Sequence, residues 1–83
     1  MKYEYVGGVR DHERHLIEKF ESDILPYTVK HGPRIGEMAM QGDMDAQMVI
    51  QFQRAFCEGD PEWRPINFRR LAEYLKKVEL KIN

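Results

Sequence analysis

The chain has 83 residues, of which 42% are hydrophobic and 33% charged, with a net charge of −1. That length holds one core, so residues 1–83 are read as a single domain. The composition is globular rather than disordered. Cys57 is the sole cysteine, which rules out an internal disulfide and fits a reducing, cytoplasmic setting. No apolar run approaches the roughly 18–20 residues that span a bilayer, and the first six residues lack the apolar centre of a signal peptide.

Charge is unevenly distributed. Residues 1–36 are balanced, residues 37–62 sum to −5, and residues 63–83 sum to +4. Neutralisation within the fold is the simplest use of such a split, and a partner surface is the other.

Glycine and proline punctuate the chain into helical segments. After Gly7-Gly8, Asp11 is placed as the N-cap of a helix over 12–25, with Glu13 near its positive end. Leu16, Ile17, Phe20 and Ile24 form its apolar stripe. Pro26 is expected to end or kink it. Gly32-Pro33 reads as a stop followed by a new start, giving a short helix from Pro33 to Gln41 that buries Ile35 and Met38. Gly42-Asp43 then has the form of a C-terminal glycine followed at once by an N-cap, which predicts a tight turn between helices.

Residues 44–58 carry the clearest amphipathic pattern, with Met48, Val49, Phe52, Ala55 and Phe56 on one face. Gly59-Asp60-Pro61 closes it. The last helix starts near Pro61 or at Asn67 and carries Phe68, Leu71, Leu75 and Val78 as its stripe. Its end has two readings. Val78, Leu80 and Ile82 alternate with charged residues as a strand would, and residues 2–6 alternate likewise, so residues 2–6 and 78–82 could pair as a short β-ribbon. The helical stripe is preferred, to about residue 79. The fold class is therefore mainly α: a small bundle of three to four amphipathic helices, with terminal β-pairing as the variant.

Three constellations bear on chemistry. His12 and His15 stand at i and i+3, one residue short of the zincin spacing, and nothing in the spacing recruits a third ligand, so no metal site is assigned. Cys57 lies at the negative end of a helix beside Glu58, where a thiolate is disfavoured, and is read as a buried structural thiol. Glu58, Asp60 and Glu62 surround a turn with no calcium-loop pattern. Phosphate-cradling glycine motifs are absent. No enzyme, cofactor or metal is expected.

Two binding readings follow. The first is a non-enzymatic protein-interaction module, an adaptor or inhibitor on a larger protein, of the small accessory type found in bacteria and phages, and able to form a homodimer. Its contact residues would be Met40, Met44, Asp43 and Asp45, because flexible thioethers make adaptable surfaces. The second is a DNA- or RNA-binding protein using Arg64, Arg69, Arg70, Lys76 and Lys77 on the last helix. The net charge and the acidic block upstream weigh against it.

Overall fold

A computed structural model describes residues 4–82. Among these residues the architecture is three helices and no strand. The first helix, α1, is helical without a break from residue 11 to residue 40. It opens with a 3-10 turn, Asp11–Glu13, continues as α-helix over Arg14–Lys19, loosens into a π-turn at Phe20–Ile24, and resumes as α-helix over Leu25–Met40. Helix α2 spans Met44–Glu58 and α3 spans Arg64–Ile82.

Neither proline divides α1, contrary to the expectation of separate helices over 12–25 and 33–41. A proline cannot donate to the carbonyl four residues back, and its ring crowds that carbonyl. At Pro26 the chain widens one turn ahead of the ring, and the Leu25 amide donates to Phe20, five residues back. That π-turn relieves the crowding without ending the helix. Pro33 lies inside the helix on its exposed side, so the carbonyl it fails to serve faces water. Gly32 before it has no Cβ to clash with the proline ring, which removes the usual penalty for helical backbone at that position.

The proposed N-cap at Asp11 is also displaced by one residue. Arg10 takes the extended cap conformation, and Glu13 reaches back so that its Oε1 accepts from the Arg10 amide at 2.8 Å. The capping carboxylate thus comes from inside the first turn.

The join between α1 and α2 follows the sequence closely. Gly42 has φ of +95°, the left-handed conformation that a helix terminator needs and that glycine adopts without a Cβ clash. The Asp43 amide donates to Met38 at 2.9 Å and the Gly42 amide to Ala39 at 3.1 Å, the paired bonds of a Schellman motif. Asp43 then caps α2, its Oδ1 accepting from the Ala46 amide at 3.1 Å.

The core lies where the three helices meet and centres on aromatic rings. Phe20 stacks on Phe56 with centroids 4.5 Å apart. Tyr5, from the leader of residues 4–10 that precedes α1, stands edge-on to both at 6.3 Å, and Phe68 of α3 packs on Phe56 at 6.1 Å. Ile17, Val49, Leu71 and Val78 fill the space around them.

The end of the chain is helical. Residues 78–82 belong to α3, and residues 4–6 are not a strand, so these parts do not pair; residues 2 and 3 lie outside the described residues. Leu71, Leu75 and Val78 are buried on one helical face. A strand over 78–82 would pull Val78 out of that row, and the core contact prevails over the local alternation.

Candidate partner-binding surface

The two helix ends at the Gly42 turn meet the end of α3. Lys81 reaches across and places Nζ 3.0 Å from Asp43 Oδ2 and 3.0 Å from Asp45 Oδ2. The Ala46 amide and Lys81 hold the Asp43 carboxyl below the usual range. Asp45 and Asp43 in turn raise the Lys81 ammonium. The Gln47 amide donates to the Ala39 carbonyl at 2.9 Å and ties the start of α2 to the last turn of α1. Asp43 and Asp45, read in the sequence as contact residues, therefore also do internal work.

The methionines beside them are free of the core. Met40 is 90% exposed and Met44 61%, whereas Met38 is buried. Leu80, one residue before Lys81, is 80% exposed. Met40 and Met44 flank the Gly42 turn and Leu80 lies in the last turn of α3, so three large apolar side chains are exposed on the segments that the Lys81 bridge joins. The sequence pattern singled out Met40 and Met44 but placed Leu80 in an alternating terminal run. Phe52 stacks on Tyr74 at 5.4 Å and Tyr27 packs on His31 at 4.6 Å.

Apart from Lys81, the basic residues of α3 divide into two groups. Arg69, Arg70, Lys76 and Lys77 are exposed, and none forms an ion pair among the described residues. Arg70 lies 6.0 Å from the Phe52 ring centroid and Lys77 lies 5.0 Å from that of Tyr74. Arg64 is different. It is 0% exposed and cannot contact a phosphate, so it does not belong to a nucleic-acid surface.

Arg64 instead holds the leader. Its guanidinium donates to the carbonyls of Phe56 at 3.1 Å, Val6 at 3.1 Å and Gly8 at 3.2 Å, and pairs with the Glu13 carboxylate. Its centre also lies 5.7 Å from the Tyr5 ring centroid. A planar fork with five donors suits this many acceptors, which an ammonium would not serve. Burial alone would raise the Glu13 carboxyl, but the Arg10 amide and Arg64 outweigh it and hold the group below its ordinary value.

Cys57 is buried, and burial pushes its thiol up to about 11. It lines a groove of about 530 Å³ between α1, α2 and the leader, together with Val6, Ile35, Val49 and Ile50. His12 and His15 are exposed, and no group of three or more metal-ligating side chains is assembled among the described residues. No helix there is long and apolar enough to cross a membrane. Comparison with family models, curated proteins and solved structures finds no match.

Proposed function

We propose that this chain is a non-enzymatic protein-interaction module that docks on a larger protein through the end of the bundle formed by the Gly42 turn and the last turn of α3. The exposure of Met40 and Met44 carries this reading. Neither packs into the core, and a pair of flexible, polarisable side chains on a rigid turn is suited to filling an apolar pocket on a partner. Leu80 is a further exposed apolar side chain in the last turn of α3, and the Lys81 bridge to Asp43 and Asp45 supplies a polar element where that turn meets α2.

The test is capture of the tagged protein's partner from cell extract, in parallel with the variant M40E/M44E. A stoichiometric protein that resists nuclease and is lost with the double variant supports the reading, provided circular dichroism shows unchanged helix content. Capture that survives M40E/M44E rejects this surface. A second reading, binding of a polyanion along α3, is favoured by the four exposed cations Arg69, Arg70, Lys76 and Lys77. It predicts affinity for an oligonucleotide that falls steeply with salt.

A further inference from the structure

The contacts that seat the leader on the bundle centre on residues 5–8. Arg64 donates to the Val6 carbonyl at 3.1 Å and to the Gly8 carbonyl at 3.2 Å. The Val6 amide donates to the Cys57 carbonyl at 3.0 Å. The Tyr5 hydroxyl donates to Glu21 at 3.2 Å, and the Tyr5 ring is half-buried against Phe20 and Phe56. Val6 and Val9 remain exposed, so beyond Tyr5 the docked leader gains little from burial of apolar surface.

The backbone path has a built-in pivot. Gly7 and Gly8 have φ of +83° and +78°, and a Cβ on either would meet nothing within 4 Å. These glycines therefore serve the conformation of the chain rather than close packing. The Gly8 amide closes a turn on the Tyr5 carbonyl at 2.9 Å. Val6 takes its second position and Gly7 its left-handed third, the pattern of a type II turn. Beyond the pivot the chain is anchored, because Glu13 accepts from the Arg10 amide. A glycine pair regains more backbone freedom on release than other residues do, which opposes docking.

What the leader covers is already assembled without it. Phe20 and Phe56 stack on each other. Glu4 and Val6 form the leader's part of the wall of the groove that Cys57 lines. Lifting residues 4–8 would take both from that wall and Tyr5 from the two rings. Arg64 would keep its bonds to Phe56 and Glu13, and water can replace the two carbonyls it loses.

We propose that residues 4–8 are a hinged strap, latched by Arg64 and pivoting at Gly7-Gly8, whose release opens the groove beside Cys57 while the three helices stay folded. The strap belongs to the low-stability end of the structure, and the helices to the cooperative remainder. Access to the groove is thereby set by a local equilibrium within the chain.

Cys57 is the sole cysteine, so its labelling reports the opening. The full chain is mixed with a chromogenic aromatic disulfide, and the rate is followed in urea from zero to just below the unfolding transition. Release of the strap exposes little surface, so the rate should be nearly flat with urea. A rate that climbs with the slope of global unfolding overturns the proposal. Two variants then load the strap alone. G8A sets a Cβ at a left-handed φ, and V6P removes the amide that serves Cys57 at a turn position that accepts proline. Each should speed labelling by about five- to tenfold with the urea midpoint little changed. Unchanged labelling in both variants means that the thiol is reached without movement of the strap, and overturns the proposal. Acceleration matched by an equal loss of global stability also overturns it, because the leader would then unfold only with the bundle.

Discussion

Arg64 and Glu13 are 51 residues apart in sequence and form an ion pair in which both side chains are withdrawn from solvent, at 0% and 2% exposure. The pair joins the first turn of α1 to the first turn of α3. The remaining donors of Arg64 serve backbone carbonyls of the leader and of α2. Breaking such a pair from one side leaves the other charge buried without a partner.

Arg64→Met is therefore expected to lower unfolding stability by about 3 kcal/mol. Arg64→Lys should recover only part of this, because one ammonium cannot reach three carbonyls and a carboxylate. In the double variant E13Q/R64M no buried charge remains, so it should lose less than the sum of the single changes. Urea unfolding of the wild type, E13Q, R64M and E13Q/R64M measures the coupling directly. Simple additivity would show that the pair is not an energetic unit.

Two glycines should respond to alanine with opposite signs. Gly42 sits at a φ of +95°, so Gly42→Ala should destabilise by about 1–2 kcal/mol. Gly36 lies within the regular part of α1, and a Cβ there would meet nothing within 4 Å. Gly36→Ala should stabilise by about 0.5–1 kcal/mol through the unfolded state and helix propensity. Thermal unfolding of both variants checks the pair, and equal signs would contradict the turn geometry.

Acidification should weaken the fold in one direction. Glu13 and Asp43 are both held below the ordinary carboxyl value in the folded chain. Their contribution is thus fully present above the unfolded carboxyl pKa, near 4, and is lost as pH falls through the depressed folded values. Stability measured by urea unfolding should be flat with pH from about 7 to 5 with respect to these two groups, then fall below about 4. In E13Q/D43N that acid slope should be shallower. An unchanged slope would place the titrating groups elsewhere.

Cys57 should react slowly. Its thiol is buried and raised to about 11, so at neutral pH it is neither accessible nor ionised. Labelling with a disulfide reagent should be slow in buffer and complete within mixing time in denaturant. Rapid labelling of the native chain would mean that the groove beside it opens readily.

The sequence is most legible where the determinants are themselves local, although the cap of α1 falls on Arg10 rather than Asp11. Met44–Glu58 and the Gly42-Asp43 join were both legible, because capping, left-handed glycine and helical periodicity depend on neighbouring residues alone. The exposure of Met40 and Met44 followed from the same turn. Prolines misled, since their effect on α1 depends on whether the chain can supply a compensating π-turn at Phe20–Ile24 or a glycine at 32. The end of α3 was ambiguous because alternation and helical spacing coincide there, and burial of Val78 decided between them. Arg64 was least legible. It stands among the basic residues that are exposed, and its partners are two carbonyls of the leader, a carbonyl of α2 and Glu13. Backbone carbonyls leave no mark in a residue pattern, and Glu13 already had a plausible duty at a helix start.

The seating of the leader also has a temporal side. Synthesis runs from the amino terminus, so Val6, Gly8 and Glu13 are made long before the guanidinium that satisfies them. A nascent chain that ends within α2 carries a carboxylate with no cation to receive it in a closing core, and its leader keeps only the contacts of Tyr5 with Phe20 and Glu21 of α1. Closure of so distant a contact carries a large entropic cost before any interaction rewards it. Docking of residues 4–10 is thus set to be among the last events of folding. It makes the arrival of α3 the step that commits the chain, rather than the formation of the long first helix.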